Sequence, residues 1–157
     1  MENQVLECLE TRRSVRKYKK EQIAEEQLQA ILKAGTYAPT GMGAQSPVMV
    51  VVQDPELIRK LSAWNAEIMG TDSDPFYGAP TVIVVLADST RNTYIEDGSL
   101  VMGNLRETFA REEGKALLKE WGLGENYVGI GNCVLGYRDC EYPQAKPRKD
   151  TYIKRIG

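Results

Sequence analysis

The chain contains no histidine. That absence removes Ser-His and Cys-His nucleophiles and every histidine-ligated metal, so any chemistry must come from a cofactor or from carboxylates. Cysteine is scarce: Cys8, Cys133 and Cys140 are odd in number, have no CxxC or metal-like spacing, and read as reduced structural thiols. No apolar run approaches the roughly 20 residues that cross a bilayer, and the N-terminus is too charged for a signal peptide's apolar region. A cytoplasmic protein without membrane contact is expected. Net basic charge is missing too: 20 Lys and Arg face 22 Asp and Glu, and the sequence pI is near 5.4, which argues against nucleic acid as the main partner.

The positive charge that is present lies at the two ends. Six of the nine residues from Arg12 to Lys20 are basic and none is acidic, whereas residues 21–145 hold nine basic against eighteen acidic residues. A second basic group, Lys146, Arg148 and Lys149, follows near the C-terminus. A guanidinium fork recognises phosphate oxygens bidentately, and a hydroxyl such as that of Ser14 can complete the shell. Two basic ends on one small domain suggest one shared anion, although a solvated helix end explains an isolated cluster as well.

The 157 residues fit a single domain with helices and strands in alternation. Val5, Leu6 and Leu9 form one helical stripe, and Leu28, Ile31 and Leu32 another, in a helix that Gly35 is placed to end. Val48 to Val52 reads as a strand. Asp54-Pro55 reads as an N-cap with proline at the first helical position, opening a helix that buries Leu57, Ile58, Leu61 and Trp64. Thr81 to Leu86 is a β-branched run expected to be buried on both faces. Helices are expected from near Asp97 and over Arg111 to Trp121, and a last strand over Val128 to Tyr137. From Arg138 to Gly157 the Pro- and Lys-rich tail reads as extended, packing on a partner subunit.

Between the second helix and the first strand lies Ala38-Pro39-Thr40-Gly41-Met42-Gly43-Ala44-Gln45-Ser46-Pro47, whose small residues would let backbone N–H groups approach a ligand. A plain turn is the simpler reading of such a loop. The Glu112-Glu113 and Asp72/Asp74 pairs lack the converging oxygens of a hard-cation site and read as surface. Trp64 and Trp121 read as core, and Cys133 as a small hydrophobe in a strand.

In combination these segments become specific. Arg12-Arg13-Ser14-Val15-Arg16 after a short helix, Ala38-Pro39-Thr40-Gly41-Met42 with Gln45 and Pro47 after the second, Tyr77-Gly78-Ala79-Pro80 before a buried strand, and Leu135-Gly136-Tyr137 followed by Lys146-Pro147-Arg148 together resemble the nitroreductase family of FMN-dependent oxidoreductases. The resemblance implies an α+β fold: a central, mainly antiparallel sheet flanked by helices, in an intertwined homodimer with FMN at the subunit interface.

It implies that Arg12, Arg13, Ser14 and Arg16 hold the FMN phosphate and ribityl chain or ring edge, with Lys146 and Arg148 on the phosphate side. Lys17, Lys19 and Lys20 would be solvated surface. Pro39, Thr40, Gly41 and Gly43 of the other subunit would line the isoalloxazine, and Asn65 would supply a polar ring contact. The family often has Asn where Gly43 stands. NADH or NADPH would deliver a hydride to flavin N5, and a nitroaromatic, quinone or similar flat acceptor would then remove it. A non-catalytic or degenerate flavin-binding scaffold is the alternative.

One departure bears on that choice. After Leu105 the family continues a long helix into a Gly-containing turn and a strand against the flavin, and roughly 15 to 20 residues, the size of half a helix and a strand, are missing here. The sequence allows three explanations: a true deletion, a longer protein from which a mobile stretch has been omitted, or a realignment in which Gly122-Leu123-Gly124 supplies the turn.

Overall fold

The structure is a computed structural model that describes residues 3–101, 112–145, 147–148 and 155. The expected break between Leu105 and Arg106 lies outside the described residues, as does Lys146. The elements in order are α1 (Gln4–Thr11), α2 (Glu25–Thr36), a 3-10 turn (Gly41–Gly43), β1 (Pro47–Val52), α3 (Pro55–Met69), β2 (Thr81–Asp88), α4 (Tyr94–Val101), α5 (Glu112–Glu120) and β3 (Tyr127–Leu135).

The three strands form one antiparallel sheet in the order β1-β2-β3, with Pro47 opposite Ala87 and Thr81 opposite Leu135. The β-branched run in β2 fills the central position, and every residue from Thr81 to Ala87 is buried. Because strand side chains alternate, β2 feeds two cores. Val82, Val84 and Leu86 meet Leu61 of α3 and Leu117 and Leu118 of α5, with Trp64 and Trp121 packed against them. Ile83, Val85 and Ala87 meet Leu28 of α2 and Ile130 of β3, joined by Val101 of α4. Helices therefore cover both faces of the sheet, the expected α+β arrangement.

Asp54 caps α3 as its sequence suggests: its carboxylate accepts from the Leu57 N–H at 2.7 Å, and Pro55 occupies the first turn, where no N–H is needed. Asp54→Ala should lower the unfolding free energy by about 1 kcal/mol in urea denaturation.

Three boundaries differ from the sequence expectation. Gly35 does not end α2, which continues to Thr36 with Tyr37 as C-cap. Its lack of a side chain serves packing instead, since a Cβ there would sit 2.8 Å from the Met49 sulfur on β1. Helix α4 starts at Tyr94, which places Asp97 inside it. The last strand spans Tyr127–Leu135 and releases Tyr137, whose hydroxyl reaches Gln27 Oε1 at 2.9 Å.

The start of the tail lies on its own chain. Tyr18 and Arg138 form an antiparallel bridge, the Lys19 N–H donates to the Tyr137 carbonyl at 2.8 Å, and the Asp139 N–H donates to the Lys17 carbonyl at 3.0 Å. Further on, the Tyr142 hydroxyl donates to the Thr11 carbonyl at 2.8 Å. These contacts need no second subunit.

Candidate functional site

Two places on this frame carry the sequence-identified residues. The first begins at the C-terminus of α1, where unpaired carbonyls collect and a cation is favoured. Arg13 answers both needs: Nη1 donates to the carbonyls of Glu10 and Arg12, each at 2.8 Å. Its Nε is buried and has no hydrogen-bond partner among the described residues. Arg12, Ser14 and Arg16 are exposed on either side, and among the described residues no hydrogen bond or ion pair engages the side chain of Arg12 or Arg16. The run therefore divides, with Arg13 half committed to the helix end and its two neighbouring arginines free for an anion. Lys17 is not simply solvated, since it pairs with Asp139 at 3.0 Å in an exposed ion pair of small energetic weight. Through this pair and the Tyr142 bond, the tail carrying Arg148, itself exposed, starts beside the basic run.

The second place is the glycine loop. Thr40 Oγ1 accepts from the Gln45 N–H at 3.1 Å, the Gly43 N–H donates to the Thr40 carbonyl at 3.1 Å, and the Ala44 N–H donates to the Gly41 carbonyl at 3.0 Å. The Gly41 N–H donates to Asp97 Oδ1 at 2.9 Å. These bonds correct the idea of a loop with many amides open to a ligand. From Gly41 to Gln45, only the Met42 N–H has no acceptor among the described residues. Met42 has φ 53° and a fully exposed side chain, and Gln45 has φ 47°, both in the left-handed region that bulky residues avoid. Gly43 shares that region at φ 67°, where a side chain is strained, although a Cβ there would meet nothing within 4 Å. Pro39 is exposed at the loop entrance.

Asp97 is the residue that sequence reasoning missed. It is 2% exposed, yet its carboxylate accepts from the Gly41 N–H, from Ser46 Oγ at 2.8 Å and from Thr93 Oγ1 at 3.1 Å. Burial pushes its carboxyl up, but the bonds from Gly41, Ser46 and Thr93 outweigh that and hold it below the ordinary aspartate value. Its stabilising contribution is thus complete above the ordinary value and is lost as pH falls through the folded one. The only available signal was an acidic residue inside an otherwise weakly polar helical stretch.

Asn65 lies on the buried face of α3, fully enclosed, where Nδ2 donates to the Leu61 carbonyl at 2.7 Å. Cys133 and Cys140 are free thiols, and burial pushes the Cys133 thiol up, as befits a packed rather than a reactive sulfur. A cleft of about 750 Å³ opens between α3 and the 72–80 loop, lined by Ile58, Ala63, Phe76, Pro80, Arg59 and Lys20. None of the sequence-identified site residues lines it. Asp74 at its rim is committed to Ser62 and to the N–H groups of Phe76 and Gly78, which makes it a loop organiser. Among the described residues no His, Cys, Asp and Glu group is arranged to hold a metal.

The sequence profile described as the nitroreductase family matches residues 9–103, which include the basic run, the glycine loop and Asp97. The chain belongs to the nitroreductase family. An Archaeoglobus fulgidus protein named NADH dehydrogenase/NAD(P)H nitroreductase is 32% identical, covering 93% of this chain and 90% of its own. A Bacteroides fragilis nitroreductase solved with FMN bound superposes with a TM-score of 0.87 at 25% identity, covering 99% of this chain and 100% of its own. One from Desulfitobacterium hafniense, also with bound FMN, gives 0.84 at 26% identity over the whole of both chains. The alignment with the A. fulgidus protein runs over 168 residues, more than the 157 of this chain, so that nitroreductase relative has residues within the matched span that this chain lacks.

Proposed function

We propose that the protein is an FMN-dependent oxidoreductase that passes a hydride from NADH or NADPH to a nitroaromatic, quinone or similar flat acceptor. The observation that carries this is Arg13 Nε, buried without a partner among the described residues, between Arg12 and Arg16, which are likewise uncommitted there. A buried donor left unpaired costs about 1–3 kcal/mol, and an oxygen of a bound phosphate would satisfy it. The FMN-bound nitroreductases of B. fragilis and D. hafniense give that phosphate a source.

When bound, the flavin supplies the hydride chemistry. The chain's residues bind and orient it: Arg12, Arg13, Ser14 and Arg16 hold the phosphate end, with Lys146 and Arg148 brought in by the tail. Among the described residues no hydrogen bond joins this cluster to the glycine loop. We assign Pro39, Thr40, Gly41 and Gly43 to the ring side of a site shared with a second subunit, in a homodimer in which the chain beyond Tyr142 reaches across the interface. Asn65 serves as a polar group behind the ring. No described helix is long and apolar enough to cross a membrane, and the free thiols suit a cytoplasmic setting.

The test is spectroscopic. Protein incubated with FMN and desalted should keep the yellow absorbance of oxidised flavin, elute as a dimer, and bleach anaerobically with NADH or NADPH. A colourless dimer that takes up no FMN would end the proposal. Retained flavin that neither nucleotide bleaches would instead establish a non-catalytic flavin scaffold, a reading favoured by the residues this chain lacks relative to the A. fulgidus protein.

A further inference from the structure

We infer that Asp97 is a positioning residue that fixes the glycine loop so that the Met42 N–H, its one amide unbonded among the described residues, faces the ligand. The inference rests on the proposed flavin site.

The geometry has three parts. Asp97 grips the loop at both ends, taking the Gly41 N–H at 2.9 Å and Ser46 Oγ at 2.8 Å, so the six residues from Gly41 to Ser46 are held over one carboxylate. Thr93, the residue just before α4, donates to the second carboxylate oxygen at 3.1 Å and fills the space beside Gly41, where a Cβ would collide with its side chain. The adjacent Gly98 then ties α4 to the sheet, since a Cβ there would lie 2.5 Å from Ile130 Cγ1 on β3. Consecutive residues thus lock the loop to the helix and the helix to the strand.

This arrangement explains how the loop keeps left-handed backbone at both Met42 and Gln45, a conformation that persists only where surrounding structure over-determines it. It also explains why a carboxylate is buried here with all its partners on one loop and one helix turn. With three of the five amides from Gly41 to Gln45 bonded within the loop and one to Asp97, the loop offers, among the described residues, a single N–H and an exposed methionine side chain. That presentation suits a carbonyl-type acceptor atom on the edge of a flat ring rather than a polyanion.

The test compares wild type, Asp97→Ala, Asp97→Asn and Ser46→Ala by FMN fluorescence titration of the flavin-free protein and by hydrogen exchange of residues 38–46. Leu118→Ala, a buried core variant on α5 in the cluster on the opposite face of the sheet from Val101 of α4, serves as a control for lost stability. Asp97→Ala strands three donors and should weaken FMN binding about tenfold or more. It should also remove exchange protection from the Gly41 amide. Asp97→Asn keeps an oxygen for Gly41 and should restore much of both signals; with Ser46→Ala it keeps the question open to measurement if the alanine variant does not fold. The control should bind FMN as wild type does well below its unfolding temperature. Binding by Asp97→Ala within twofold of wild type, or an equal loss in the control, overturns the inference. If wild-type protein takes up no FMN, the flavin proposal fails separately, and unchanged Gly41 protection in the Asp97 variants would then overturn the loop assignment.

Discussion

Replacing Arg12 and Arg16 together by alanine should raise the Kd for FMN about a hundredfold or more, because each hydrogen bond to a charged group is worth about 1.5–3 kcal/mol and 1.4 kcal/mol is tenfold. The folded protein should barely notice. Both side chains are exposed and neither is engaged among the described residues, and surface changes of that kind stay within about 0.5 kcal/mol. Arg13→Ala is the contrasting case, since Arg13 also closes the carbonyls of Glu10 and Arg12, and its loss should reduce both flavin affinity and stability. Wild-type affinity should fall with added salt, and the double variant should show a weaker salt dependence. Quenching of FMN fluorescence measures all of this, with melting curves of the flavin-free proteins alongside. Unchanged affinity in the double variant would remove the phosphate assignment.

Leu86→Ala should cost about 2–5 kcal/mol, against a total stability of about 5–15 kcal/mol for a typical domain. The upper part of that range is expected. Leu86 is fully buried in the central strand, beside the register shift at Val85/Leu86, with β1 on one side and β3 on the other. The cavity would face Leu61 and the α5 leucines, and a strand bonded along both edges cannot move to fill it. The urea midpoint should drop with the slope unchanged. A loss below about 1 kcal/mol would show that this face repacks freely.

Most of the frame was legible in the sequence because its signals are local. Asp54-Pro55 announces a helix start, and the run from Thr81 announces a strand with no solvent face; both stand where expected. The boundaries that shifted were set by contacts distant in sequence. Gly35 looked like a helix end but answers to Met49 across the α2–β1 interface, and Tyr137 leaves its strand to meet Lys19 and Gln27. The candidate site divides the same way. The arginines and the glycine loop could be found by composition and order, whereas Asp97 gains its meaning only when a loop more than fifty residues away folds over it. Nor could composition show that the loop spends three of its five amides on itself and a fourth on Asp97.

The bond between Tyr142 and Thr11 joins residues 131 positions apart. Closing so long a path costs chain entropy that grows with the logarithm of its length, so the clasp gains from forming after the sheet has shortened that path. In the reverse direction it can open while β1–β3 remain intact, as weakly buried ends generally do. In the proposed flavin site, a ligand gripped by both ends would act as a staple across the clasp, with part of its binding energy going into keeping the ends together.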